Sequence, residues 1–190
     1  MYPADSSLPT PIINIKKHPD KKLLILDLDE TLVHASFEQM DGADHIVDLT
    51  ITEPSPAKYT LYLFVRPYLD LFLEEMSKIF ELAVFTASMQ LYCDAVLDKI
   101  DPKRIIKYRL YRNHCVQRGP FYIKDISRLG HSLKDAVIMD NASISFQAQP
   151  ENGILCPEFL TNKEDTYLKE IIPYMQRLAK SEDVRVFLKK

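Results

Sequence analysis

Asp27 and Asp29 stand two residues apart behind an apolar run, Leu23 to Leu26, that reads as a short buried strand. In extended chain, residues i and i+2 share a face, so the two carboxylates converge while Leu28 turns toward the core. Acids held side by side repel, an arrangement suited to a divalent cation between them and a chemical role for one of them. The plainer alternative is a solvated acidic cluster capping the next turn, with Thr31 as a local hydrogen bonder. Three more polar positions fall at the ends of extended runs. These are Thr86 after Leu82 to Phe85, Asp140 with Asn141 after Ala136 to Met139, and Lys124 after a fourth run. Singly, Thr86 could cap a helix, Lys124 could lie on the surface, and Asp140-Asn141 could make a turn. Gathered at one sheet edge, they suit phosphoryl transfer, in which positive charge must screen an anionic nucleophile from a phosphate dianion. Only four glycines occur and no G-x-x-x-x-G-K is present, which excludes a nucleotide P-loop.

The elements that must position these residues follow from pattern. Leu32 to Ser36 continues as extended chain. His45 to Ile51 and Tyr59 to Val65 are rich in β-branched and aromatic residues and flank the turn-like Glu53-Pro-Ser-Pro56. They predict a β-hairpin inserted over residues 38–64. Pro67 suits the first turn of a helix carrying Leu69, Phe72, Leu73, Met76 and Phe80 at helical spacing. A second helix is expected over Leu91 to Ile100, stopped by Asp101-Pro102, and a third over Glu164 to Leu178 with an apolar stripe of Tyr167, Leu168, Ile171, Ile172 and Met175. Lys103 to Leu110 reads as extended, and Cys115 to Ile123 as a short hairpin about Gly119. Apolar strands alternating with helices predict an α/β fold, a mainly parallel sheet with helices on both faces. In such a sheet the binding crevice lies outside the carboxyl ends of the strands.

The 190 residues suffice for one domain with a substantial core, read as 21–190 behind an N-terminal arm over residues 1–20. A net charge of −3 gives no ground for nucleic-acid binding by bulk electrostatics. A local basic group, Lys103, Arg104, Lys107, Arg109 and Arg112, is either a solvated face or the rim of an anionic-substrate site. Cys93, Cys115 and Cys156 lie far apart, without the close pairs of a zinc site, and are read as structural thiols. Their odd number, and no signal peptide, point to a reducing intracellular compartment. No apolar stretch approaches the ~20 residues of a membrane span, so no membrane partner is expected.

The segment DLDETLVH, residues 27–34, resembles the first motif of the haloacid dehalogenase superfamily. Val65 to Asp70, Ala83 to Ser88, Tyr122 to Gly130 and Ile138 to Asn141 stand in the order and spacing of one branch, the small phosphatases acting on the C-terminal domain of RNA polymerase II. The resemblance covers nearly the whole chain from Lys21. It implies a Rossmann-like fold and a Mg²⁺-dependent phosphoserine/phosphothreonine protein phosphatase, monomeric, working in the nucleus or alternatively the cytoplasm. It implies Asp27 as nucleophile through an aspartyl-phosphate, and Asp29 as general acid and then base. It also implies Lys124 and Thr86 on phosphate oxygens, and a metal held by Asp27, Asn141 and the Asp29 carbonyl. Asp140 would orient Lys124 or stand behind the metal. Beside the site, the resemblance implies a proline-receiving pocket lined by Phe37, Leu49, Ile51, Leu61 and Met89, with Arg112 on the substrate; packing of the hairpin onto the core would explain the same apolar residues. The short insertion leaves no large cap, which favours a phosphorylated protein or peptide over a metabolite. A non-catalytic adaptor like the mitochondrial import-receptor relatives is the remaining alternative, and the intact acid, hydroxyl and lysine set stands against it.

Overall fold

The computed structural model describes residues 12, 13, 15, 18–51 and 56–189. Most of the expected arm, and the tip of the expected hairpin at residues 52–55, lie outside them. The chain opens with β1 (Lys22–Leu26) and β2 (Val33–Ser36), then β3 (His45–Ile51) and β4 (Ala57–Val65). Next come α1 (Leu69–Ile79), β5 (Phe80–Phe85), α2 (Gln90–Ile100) and β6 (Tyr108–Leu110). The short strands β7 (Val116–Arg118) and β8 (Phe121–Ile123) follow, then β9 (Ala136–Asp140) and β10 (Gly153–Leu155). Three helices end the chain: α3 (Tyr167–Glu170), α4 (Ile172–Ala179) and α5 (Val184–Leu188).

Five strands form one parallel sheet in the order β10-β9-β1-β5-β6. Alternation along each strand sends Leu24, Leu26, Leu82, Val84, Val137 and Met139 into one core and Leu23, Ile25, Ala83, Phe85 and Ile138 into another. The α-helices pack on the first face, through Phe72, Leu73 and Met76 of α1 and Val96 and Leu97 of α2 among others. The second face is covered by single 3₁₀ turns, which supply Ile126, Leu129 and Phe146, and by the fully buried Ile15. Helices on both faces is thus met with α-helices on one face and 3₁₀ turns on the other. Ile15 also donates its amide to the Leu129 carbonyl at 3.0 Å, so this part of the arm belongs to the folded body.

The expected hairpin is present, with His45 opposite Leu63 and Ile51 opposite Ala57, but β2 pairs with the far side of β4 to make a three-stranded sheet, β2-β4-β3. Phe80, read as the last of the α1 stripe, begins β5 instead. The single helix expected over 164–178 is two, α3 and α4, separated at Ile171. Pro173 explains the break: lacking an N–H and clashing with the preceding turn, it is tolerated only at the start of a helix.

Arg66, at the end of β4, is fully buried and ties the small sheet to the rest. Its guanidinium grips Asp165 at 3.0 and 2.9 Å, donates to the carbonyls of Thr31 and Pro157 at 3.0 and 2.9 Å, and stacks over the Phe159 and Tyr167 rings.

Candidate active site

Register places the site. Leu26 pairs with Val84 on one side and Met139 on the other, so the next residues of the three central strands end at one level. From β1 the sheet extends to β5 and β6 on one side and, later in the chain, to β9 and β10 on the other, and a crevice opens where the order reverses. Asp27 begins the loop after β1 and anchors it by donating its amide to the Met139 carbonyl at 2.9 Å. Thr86 does the same after β5, through the Leu110 carbonyl at 3.0 Å. Asp140 is the last residue of β9 and Asn141 follows it. Lys124 arrives differently, from the end of the β7–β8 hairpin, and its amide is held by the Ser145 carbonyl at 2.7 Å.

The Lys124 ammonium is buried between two carboxylates, donating to Asp27 Oδ1 and, at 2.6 Å, to Asp140 Oδ2. Asp140 Oδ1 is taken by the Ala142 amide at 2.8 Å, so Asp140 faces the lysine rather than the cavity mouth. Burial pushes the Asp27 carboxyl up to about 7, against the pull of Lys124 and with a further push from Asp140. Burial alone would discharge Lys124, but Asp27 and Asp140 outweigh it and hold its pKa above the ordinary value. Thr31 donates its hydroxyl to Asp27 Oδ2 at 3.0 Å and lies 3.4 Å from Asn141 Oδ1, which brings those two oxygens together.

Asp29 points into a different neighbourhood. Tyr92 O–H donates to its Oδ1, while Ser88 Oγ at 2.8 Å and Thr86 Oγ1 at 3.3 Å donate to its Oδ2. The Thr86 hydroxyl accepts from the Ser88 amide at 2.9 Å. Burial, then the Asp29 charge, raises the Tyr92 phenol above its usual range and keeps it a donor.

These groups open onto a cavity of about 720 Å³. Phe37, Leu49, Met89 and Arg112 line it, as do Tyr59, Leu91, Tyr92 and Tyr122. Phe37 is 61% exposed and meets the Tyr59 ring edge-on at 5.8 Å. Leu61 does not line the cavity: it is fully buried beneath Leu49 and Val47. Ile51 ends β3, and its side chain lies outside the described residues. Of the local basic group, Arg109 is paired with Asp94 and Asp98 at 2.9 Å each and Lys107 with Glu81 at 3.2 Å. Arg112 is the member that reaches the cavity, fixed by a 2.6 Å bond from Nε to the Ala87 carbonyl and by stacking over Tyr122. Burial raises the thiol pKa of all three cysteines, as expected of structural thiols.

Ser88 and Tyr92 were absent from the expected site. A signal for them existed: a helix that starts just beyond the carboxyl end of β5 turns its first turn toward the crevice, and residues four apart share a face.

The pattern of NLI interacting factor-like phosphatases matches residues 22–185. The chain belongs to that family. It is 40% identical over 184 residues to a probable C-terminal domain small phosphatase of Dictyostelium discoideum, covering 97% of this chain and 59% of that protein. It is 37% identical over 165 residues to human carboxy-terminal domain RNA polymerase II polypeptide A small phosphatase 1, covering 87% and 62%. The chain thus spans about three fifths of the length of these curated relatives. Among solved structures, the fission yeast RNA polymerase II CTD phosphatase Fcp1 bound to beryllium fluoride superposes with a TM-score of 0.63 at 22% identity, over 84% of this chain and 52% of that one, and shares its fold.

No group of three or more His, Cys, Asp or Glu side chains is spaced to hold a metal ion among the described residues. The oxygens brought together at Thr31, from the carboxylate of Asp27 and the amide of Asn141, are nevertheless donors of the type that Mg²⁺ accepts, with water completing its shell.

Proposed function

We propose that this chain is a Mg²⁺-dependent phosphoserine/phosphothreonine protein phosphatase that works through an aspartyl-phosphate on Asp27. The observation that carries the reading is the buried Asp27–Lys124–Asp140 arrangement, with Asp29 held separately on hydroxyl donors at the mouth of the same cavity. Asp27 attacks phosphorus, the phosphorus–oxygen ester bond breaks, and the leaving oxygen takes a proton from Asp29. Water then attacks the phosphoaspartyl group, gives a proton back to Asp29, and releases inorganic phosphate with Asp27 restored. Lys124 holds Asp27 in line and screens the approaching phosphate oxygens. Thr86, whose hydroxyl lies 3.3 Å from Asp29 Oδ2, turns toward a phosphate oxygen on this reading.

The charge balance supports a cation. Asp27, Asp29 and Asp140 against Lys124 alone would repel a phosphate dianion. A Mg²⁺ held by Asp27, Asn141 and the Asp29 carbonyl would supply charge neutralisation at the phosphoryl oxygens. The exposed Phe37, Tyr59, Met89 and Leu91 around the cavity support a substrate with an apolar residue beside the phosphosite. With relatives named for the C-terminal domain of RNA polymerase II, we assign the substrate class as proline-containing phosphoproteins of that kind, and the nucleus as the compartment that fits such a substrate. No described helix is long and apolar enough to cross a membrane.

The test is phosphate release from a phosphoserine peptide and from nitrophenyl phosphate, with Mg²⁺ and with excess chelator. Both reactions should need the metal, and acid-quenched enzyme should carry phosphate on Asp27 by mass spectrometry. Asp27→Asn should abolish turnover and labelling together. Full turnover in chelator, or in Asp27→Asn, would overturn the reading.

A further inference from the structure

We propose that Tyr92 and Ser88 are positioning residues that set the direction of the Asp29 carboxylate. The inference rests on the acid–base role given to Asp29 above. An aspartate beyond a strand end has two soft side-chain torsions, and one hydrogen bond leaves it free to turn about that bond. Here each oxygen is held from a different residue: Oδ1 by the Tyr92 hydroxyl, Oδ2 by Ser88 at 2.8 Å. Two such bonds fix the carboxylate plane.

The mounts differ in stiffness from the group they hold. The Tyr92 ring packs against both the large helical core and the small Val47–Leu49–Leu61 cluster, so its hydroxyl projects from a fixed frame. Ser88 is pinned through its own amide to the Thr86 hydroxyl at 2.9 Å, just before α2 begins. A carboxylate offers about four lone-pair sites, two on each oxygen. Ser88 takes one lone pair of Oδ2 at 2.8 Å, and Thr86, at the longer 3.3 Å, gives up the other when it turns toward the phosphate. Oδ1 meets Tyr92 alone, so the two bonds hold the carboxylate while leaving it a lone pair for the leaving oxygen and, later, the attacking water. Tyr92 and Ser88 touch the Asp29 carboxylate alone among the reacting groups and act through it.

The test compares two substrates of nearly equal size and unequal need for a proton: phenyl phosphate and its nitro-substituted analogue. Neither is long enough to fill the apolar part of the cavity. Tyr92→Phe and Ser88→Ala should each lose at least about tenfold more kcat on phenyl phosphate than on the analogue, because misplacing a general acid harms the poorer leaving group most. KM should change little. Equal losses on both substrates, or a loss confined to KM, would overturn the assignment and leave Tyr92 a cavity wall. A crystal structure of the double variant Tyr92→Phe, Ser88→Ala decides the matter independently of activity. The Asp29 carboxylate should turn from its wild-type direction, and an unmoved carboxylate would sink the inference. Should the wild type turn over neither substrate, the phosphatase reading fails, while the crystallographic comparison still judges the positioning role.

Discussion

Replacing Lys124 by methionine removes the charge while keeping an unbranched apolar stem. That ammonium lies between Asp27 and Asp140, and all three side chains are buried. Without it, two buried carboxylates face each other uncompensated, and breaking a buried ion pair in this way costs about 3–5 kcal/mol. The cost should depend on pH, with a sign set by Asp27. Burial raises its carboxyl from 3.8 to about 7 even with Lys124 present. A carboxyl raised by folding contributes stability below its unfolded pKa and loses that contribution as pH rises through the folded one. Without metal, the wild type should lose stability between roughly pH 4 and pH 7, by at most about 4 kcal/mol at ~1.4 kcal/mol per unit. In Lys124→Met the opposing pull is gone, so the fall should be deeper and continue above pH 7. At pH 5 a proton held between the carboxylates should cut the deficit relative to wild type to under ~2 kcal/mol. Urea unfolding followed by circular dichroism, in chelator so that no divalent ion substitutes for the lysine, measures both quantities. A variant as stable as wild type at pH 8, or a deficit equal at pH 5 and pH 8, would refute the reasoning.

Two further outcomes concern the cavity wall and the Arg66 anchor. Phosphoserine peptides with a neighbouring proline should exceed their alanine counterparts by about tenfold in kcat/KM, the scale of 1–2 kcal/mol for burying a proline ring at ~25 cal/mol per Å². Phe37→Ala should remove most of that preference and shift unfolding by under ~0.5 kcal/mol, because the ring is 61% exposed; a preference left intact would exclude Phe37 from substrate contact. Arg66→Lys should cost about 3 kcal/mol or more in urea unfolding, since an ammonium cannot reproduce the fork to Asp165 and two carbonyls. A loss under ~1 kcal/mol would show that the guanidinium contacts contribute little.

The three central strands were legible because they are largely apolar runs with an acid or a threonine at or just past their ends, whereas the edge strand β10, three residues long, carries no such signal and was not read. Lys124 was legible as a candidate, but not its burial, which depends on the Ser145 carbonyl and on Asp140 meeting it from another strand. Leu61 illustrates the opposite difficulty. Alternation puts Leu49 and Leu61 on one face of the small sheet, yet only the packing of α2 decides which is cavity wall and which is floor. Ser88 escaped because a serine just before a helix reads first as a local cap, and Tyr92 because an aromatic in a first helical turn reads first as packing. The broken last helix could have been read from Pro173, which the apolar stripe around it obscured.

Ile15 carries a practical lesson for anyone shortening this protein. The family match begins at residue 22, and a gene trimmed there would look complete by that criterion. It would also remove a fully buried plug from beneath β1 and β5, a deletion on the scale of about 2–5 kcal/mol for a large aliphatic side chain. The same cut would release the 3₁₀ turn at 126–129, whose carbonyls receive the amides of Ile12 and Ile15 and which lies two residues beyond Lys124. Poor expression or weak turnover from such a shortened version would then report on the missing plug, not on the chemistry of the crevice.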